Sequence, residues 1–402
     1  MRLRVLLGVC FRGIRMLWLW LGISLVLLLL VDALLDAVLP EPTGLAVIDP
    51  AARAPARAEA DAFPDRAAAS RYFDEFEQAR HTAWRSYVYF RRLPFAGTAI
   101  HVDAHGFRVT PPLADPQPGQ PLTVWLFGGS VAWGTGVDDA HTLASALQER
   151  LSQILGRPVR VQNFAESGYV SQQSLLAFAA ALRCDGPVPD LALFLDGAND
   201  VYAGLQSGRP GLPQNEQNRA IEFNLSRRTD RVLLAWAARL KGVGKLLRPA
   251  LPPIDPAGLG PDIARSYLAT AGQVQALAQA RGVPVLLFWQ PTLFDKRPLS
   301  TDEQSALGAS LVLHRDLQLA ATEALRAQAA SANVPVVDLT TQFAPQPAPR
   351  YFDFVHVNGE GLAELAATMA LHVPPLLRTA QLHAAAPPGV TAACRDRPAP
   401  SP

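Results

Sequence analysis

The segment Val124-Trp125-Leu126-Phe127-Gly128-Gly129-Ser130 runs from four apolar residues through a glycine pair to a serine. A short apolar run bounded by glycine reads as a buried strand rather than one face of a helix. The glycines permit a sharp turn. Ser130 then opens a helix, with its hydroxyl projecting over the carboxyl end of the strand. A strand-to-helix turn of this kind belongs to an α/β fold with a parallel sheet.

Working outward, four more apolar runs follow Val124–Phe127: Val159–Asn163, Leu191–Leu195, Val283–Trp289 and Val336–Leu339. Helix-like segments alternate with them at Ala140–Leu155, Gln172–Leu182, Ile263–Arg281, Ser305–Ala330 and Gly361–Leu371. The alternation predicts a five-stranded parallel sheet between two helical layers, spanning residues 121–376. Residues 203–260, rich in Gly, Pro, Asn and Arg, break the rhythm and read as an insertion able to carry a lid or substrate contacts. Before the domain, residues 69–120 hold an aromatic cluster (Tyr72, Phe73, Phe76, Trp84, Tyr87, Tyr89, Phe90) and read as an extension packed on it. Thr98–Val109 reads as a small hairpin. Residues 40–68 are a linker, and residues 377–402 an irregular tail.

Ligands of an open parallel sheet bind beyond the carboxyl ends of its strands. There the sequence collects Gly128-Gly129-Ser130, then Asn163 to Gly168, then Asp196-Gly197-Ala198-Asn199-Asp200, then Gln290-Pro291, and last Asp353 with His356. A serine hydroxyl needs a base to attack an ester, and His356 can serve. Asp353 can hold the imidazole tautomer and stabilise the imidazolium. The oxyanion so formed needs preorganised donors. The backbone N–H of Ser130, the backbone N–H of Gly168 and the side-chain amide of Asn199 are the candidates. Gln290 is a candidate substrate contact, against the reading of a strand end stopped by Pro291. The chemistry calls for no metal and no cofactor.

These blocks resemble the SGNH (GDSL-type) hydrolase family. FGGS at 127–130, AESGYVSQQS at 165–174, DGAND at 196–200 and DFVH at 353–356 occur in the family's order. The resemblance covers about residues 120–375. It implies a flavodoxin-like three-layer α/β/α sandwich with strand order 2-1-3-4-5. It implies Ser130, Asp353 and His356 as catalytic triad, and Ser130, Gly168 and Asn199 as oxyanion hole. Gly129 stands where the family usually has Asp, which puts any contact of that Asp in doubt. The chain also resembles bacterial members with one N-terminal anchor, and this implies relatives that remove or transfer acetyl groups in exported polysaccharide metabolism.

Rival readings are weaker. GGSVAWGTG at 128–136 lacks the Lys of a phosphate-binding P-loop and the spacing of a dinucleotide fingerprint. An α/β-hydrolase elbow would need Gly where Ala132 stands. His101 and His105 would share a metal only on a helix, and their segment reads as a solvated loop. Asp138-Asp139 reads as the cap of the following helix. Asp196 could orient Asn199 or belong to the turn.

The chain has 402 residues and a formal net charge of +1, so nothing points to nucleic acid. MLWLWLGISLVLLLLV at 16–31 is free of charge and continues to Leu39, close to the roughly 20 residues a membrane span requires. Arg2, Arg4, Arg12 and Arg15 precede it, and no Lys or Arg follows until Arg53. The positive-inside rule puts residues 1–15 in the cytoplasm, a single-pass anchor at 16–39, and the catalytic domain on the periplasmic side of a bacterial inner membrane. A cleaved signal peptide is the competing reading. An oxidising compartment permits a Cys184–Cys394 disulfide. The expectation is a membrane-anchored, monomeric serine esterase of the carboxylesterase or acetylesterase type, acting on O-acylated carbohydrate. Two alternatives stand beside it: an O-acyltransferase of exported polysaccharide using the same triad, and a non-catalytic polysaccharide-assembly module.

Overall fold

A strand apolar along Val124–Phe127 needs cover on both faces, and β5 (Leu122–Gly128) has it. Side chains alternate across a strand, so Leu122, Val124 and Leu126 join one core while Trp125 and Phe127 join the other. The computed structural model describes residues 2–39, 66–115, 118–183, 188–216, 219–220, 223–224, 240–247, 253–307 and 311–379. The chain divides into two compact units: Met1–Val47 with Asn215–Pro253, and Ile48–Gln214 with Ile254–Pro402.

In the smaller unit, α1 (Arg2–Val38) carries the apolar run. Its part Gly13–Val38 has a mean hydropathy of 2.4. At a rise of about 1.5 Å per residue these 26 residues extend about 39 Å, enough to cross a hydrocarbon layer of about 30 Å. Asp32 and Asp36 are explained by a partner: Val243 N donates to Asp32 Oδ1 (2.8 Å), and Lys245 Nζ pairs with Asp36 Oδ1 (2.8 Å). A carboxylate on an otherwise apolar helix is costly without such partners.

The larger unit begins with α2 (Arg66–Ala79) and two small antiparallel pairs, β1 (Thr82–Arg85) with β2 (Tyr89–Arg92) and β3 (Phe95–Ala96) with β4 (His101–Val102). After β5 come α3 (Ser130–Trp133), α4 (Leu143–Leu155), β6 (Val159–Asn163), α5 (Ser171–Arg183), β7 (Leu191–Asp196) and α6 (Ala198–Ser207). Next are α7 (Lys241–Leu247, in the smaller unit), α8 (Pro256–Ala280), β8 (Val285–Trp289), α9 (Thr301–Ala306) and α10 (Val312–Ala332). The chain then forms β9 (Val336–Asp338), α11 (Gly359–Leu371) and α12 (Val373–Thr379).

The sheet is parallel, with order β6-β5-β7-β8-β9, the 2-1-3-4-5 order expected. On one face Leu147 and Leu151 of α4 and Leu362 and Leu365 of α11 cover Val124, Leu126 and Leu193. On the other, Phe178 of α5, Tyr267 and Leu268 of α8 and Leu317 of α10 cover Phe127, Phe194 and Trp289. Phe127 and Phe194 stack at 4.8 Å between ring centroids, tying β5 to β7. Each such buried ring contributes about 1.5–3 kcal/mol by leaving water.

In the aromatic cluster of the extension Tyr72 is fully buried and its hydroxyl accepts from Gly136 N at 2.6 Å, whereas Trp84 and Tyr87 are exposed. Asp138 caps the single turn Asp139–His141, whereas Thr142 caps α4. Asp139 has a different task from the capping expected of it. It is buried between Arg108 Nε (2.5 Å) and His101 Nδ1 (2.7 Å). Cys184 and Cys394 lie outside the described residues.

Candidate active site

Ser130 owes its position to the glycines before it. Gly128 has φ +149°, and a Cβ there would collide with the Leu195 carbonyl oxygen of β7. The chain therefore turns tightly against the neighbouring strand and starts α3 at Ser130. Trp133 of α3 is fully buried, with the guanidiniums of Arg92 and Arg108 3.8 and 4.4 Å from its ring centroid. Such cation–π contacts gain strength where water is excluded.

Asp353 and His356 sit in a tight turn between β9 and α11. Phe352 N donates to His356 O (2.9 Å), Tyr351 bridges to Val357, and Leu293 N donates to Phe354 O (2.9 Å). This turn delivers His356 Nε2 to 2.8 Å from Ser130 Oγ, and His356 Nδ1 to 2.8 Å from Asp353 Oδ2. Asp353 Oδ1 accepts from the backbone N–H of Val355 (2.9 Å) and His356 (2.8 Å). Burial alone would raise the Asp353 carboxyl. The adjoining imidazole and these donors outweigh burial and hold it well below the usual carboxylate range. An ionised Asp353 can hold a proton on Nδ1, and Nε2 is then able to accept one from Ser130.

Gly168 and Asn199 flank the same serine block. Gly168 has φ +84°, a conformation glycine takes without strain. Asn199 lies in the first turn of α6, where its Nδ2 donates to Tyr169 O (2.8 Å) and lies against Gly129, so close that a Cβ on Gly129 would meet it. One amide proton of Asn199 is engaged by Tyr169.

Three supporting groups were not legible in the sequence. Gln214, from the segment expected to be an insertion, donates from Nε2 to Asn199 Oδ1 (3.0 Å). Arg92 of β2 links both site loops: its N and Nε donate to Glu166 (2.9 and 3.2 Å), its Nη2 donates to Ser167 Oγ (2.9 Å), and its plane covers Trp133. Glu166 itself is 1% exposed. The only available signal was the Arg91-Arg92 pair in an aromatic stretch, which names no partner.

The remaining candidates fall as follows. Asp196 accepts from Ser174 Oγ (2.9 Å), and Asp200 accepts from Ser171 N and Oγ (3.1 and 2.5 Å). Gln290 follows β8, is 3% exposed, and its Nε2 has no partner among the described residues. Among the described residues no cluster of His, Cys, Asp and Glu could hold a metal ion.

A family comparison decides the class: the GDSL-like Lipase/Acylhydrolase family matches residues 126–363, more than half of the chain. The chain belongs to this family. As a GDSL-like acylhydrolase it is a hydrolase of ester bonds. Among solved structures this acylhydrolase is similar to a carbohydrate acetylesterase family member from Sinorhizobium meliloti, with 15% identity, 64% of this chain and 99% of that chain covered, and a TM-score of 0.38. It is similar to the acetyl xylan esterase AlAXEase, with 16% identity, coverage of 63% and 100%, and a TM-score of 0.36. It is also similar to TesA, with 18% identity, coverage of 63% and 99%, and a TM-score of 0.35. No curated protein matches it.

Proposed function

We propose that this acylhydrolase is a membrane-anchored serine esterase that removes a small acyl group, acetyl in the first instance, from O-acylated carbohydrate outside the cytoplasm. The observation that carries the reading is the unbroken chain Ser130 Oγ–His356 Nε2–Nδ1–Asp353, with both links at 2.8 Å. Ser130 Oγ attacks the acyl carbonyl while His356 Nε2 takes its proton. The tetrahedral oxyanion lies against the N–H groups of Ser130 and Gly168 and the side-chain amide of Asn199. His356 returns the proton to the leaving alcohol, and the acyl group stays on Ser130. Water then attacks with His356 again as base, releasing the acid and restoring the serine.

The small acyl group is supported by the space beside His356. Tyr72, Phe73, Phe76 and Phe352 close around Thr135 and Gly136 and leave a cavity of about 10 Å³. That is room on the scale of one water molecule or one methyl group. The carbohydrate alcohol and the exported location rest on the resemblance to anchored bacterial members, on the apolar helix Gly13–Val38, and on the arginines Arg2, Arg4, Arg12 and Arg15 before it.

The test is Ser130→Ala in the full chain, assayed with p-nitrophenyl acetate and an acetylated xylan. Turnover should fall by about 10³-fold or more with the melting temperature unchanged. A fluorophosphonate should label the parent protein and not the variant. Undiminished turnover, or labelling at another residue, would overturn the assignment.

A further inference from the structure

A pocket of about 550 Å³ opens between the β1–β2 hairpin, strands β5 and β6, and helix α5. None of Ser130, Gly168, Asn199, Asp353 and His356 lines it. Its size falls within the roughly 300–1,000 Å³ of ordinary ligand sites. The floor is apolar. Trp125 and Phe164 meet there at 4.9 Å between ring centroids, and the alanines of α5 leave room that larger side chains would fill. Trp125 is 7% exposed, and its Nε1–H has no partner among the described residues.

The polar side is cationic. Arg85, Arg91 and Arg160 line it together with His105, and among the described residues no carboxylate does. Among the described residues no carboxylate pairs with any of these three arginines. Among the described residues, three acids that border the pocket in sequence are engaged elsewhere: Asp103 accepts from His105 N and Phe107 N (both 2.9 Å), Asp190 accepts from Thr123 N (2.8 Å), and Glu166 pairs with Arg92 (3.2 Å). Arg91 is locked in place, with both Nη groups donating to Phe164 O (3.3 Å) and its guanidinium over the Phe107 ring (4.3 Å).

Three guanidiniums that have no carboxylate partner among the described residues form a site of positive potential that an anion relieves. A bare inorganic anion would leave the apolar floor uncovered, and a neutral hydrocarbon would leave the arginines unanswered. We propose that this pocket binds an anionic amphiphile. Its aliphatic body lies on Trp125 and Phe164, and a single carboxylate or phosphate head meets Arg85, Arg91 and Arg160. This site is separate from the esterase centre.

The experiment is calorimetric titration of the full chain in nanodiscs with octyl phosphate, with empty discs subtracted. Saturable binding is expected, unchanged in Ser130→Ala, weakened at least tenfold in the double variant Arg85→Gln/Arg160→Gln, and lost in Ala177→Trp, whose bulk fills the floor. Inorganic phosphate and octanol should each bind at least tenfold more weakly than octyl phosphate. Competition by octanoate in solution, against a lysophosphatidate presented in the disc, identifies the natural source as a soluble acid or a lipid. Ester turnover at the parent rate in the pocket variants certifies that they are folded. Equal binding by folded Ala177→Trp overturns the proposal, as does binding of an acidic oligosaccharide where octyl phosphate fails.

Discussion

Gln214 Nε2 donates to Asn199 Oδ1 at 3.0 Å, while Asn199 Nδ2 donates to Tyr169 O at 2.8 Å. The side-chain amide of Asn199 is therefore held at both ends, and its orientation is set before substrate arrives. A donor that needs no reorganisation stabilises a developing oxyanion best. Gln214→Ala releases one end. Losing such a donor outright costs about 10²–10³ in kcat, and losing only its anchor should cost less, about tenfold, with KM nearly unchanged. Steady-state kinetics on p-nitrophenyl acetate measures the split. A rise in KM at constant kcat would assign Gln214 to substrate binding instead.

The Arg92–Glu166 pair joins the extension to the glycine block, with side chains 4% and 1% exposed. Removing one partner of a buried pair leaves an uncompensated charge and costs about 3–5 kcal/mol. Arg92→Met should therefore lower the urea midpoint strongly, and Arg92→Met/Glu166→Gln should recover part of the loss. If the double variant is as unstable as the single one, the packing of Arg92 on Trp133 is the dominant contribution.

How much of this could be read from the chain is clear from particular residues. The three central strands were legible because Val124–Phe127, Leu191–Leu195 and Val285–Trp289 are apolar at consecutive positions, the signature of burial on both faces, whereas β6 alternates as Val159-Arg160-Val161-Gln162 at the sheet edge. Ser130 and His356 are 226 residues apart, and only the ordered blocks brought them together in advance. Arg92 and Gln214 remained silent because their partners are set by tertiary packing: Glu166 lies 74 residues from Arg92, and Asn199 lies 15 from Gln214 across a turn without periodicity. Asp139 was misassigned for the same reason. Its acidic neighbour Asp138 gave a local capping signal, while Arg108 gave none.

Asp200 carries a pH signature. Burial pushes its carboxyl up to about 6, against hydrogen bonds from Ser171 that lower it. Asp196, pushed up by burial and by Asp200, is its neighbour, and Tyr267 is affected by both. A folded-state value above the unfolded one means that the native protein holds the proton more tightly. The contribution of this group to stability is then greatest below about pH 4 and is lost as pH rises through about 6, by up to about 3 kcal/mol. Asp200→Asn keeps an acceptor for Ser171 and removes the titration. Urea unfolding at several pH values between 4 and 7 should show a flatter profile for the variant. Parallel profiles would mean that Asp200 does not change its protonation on unfolding.

Phe352 offers the most direct control of acyl size. Its ring faces Gly136, where an added Cβ would meet it at 2.6 Å, and with Tyr72, Phe73 and Phe76 it closes the small cavity beside His356. Phe352→Ala opens that wall without touching the Ser130–His356–Asp353 hydrogen bonds. Each methylene newly accommodated is worth about 1–3 kcal/mol in the transition state. The ratio of kcat/KM for p-nitrophenyl butyrate to that for the acetate should therefore rise at least tenfold in the variant, chiefly through the butyrate. Side-chain loss in a packed aromatic cluster also lowers the melting temperature, so the ratio rather than either rate is the measure. An unchanged ratio would place the acyl group elsewhere, away from the aromatic wall that the extension builds beside His356.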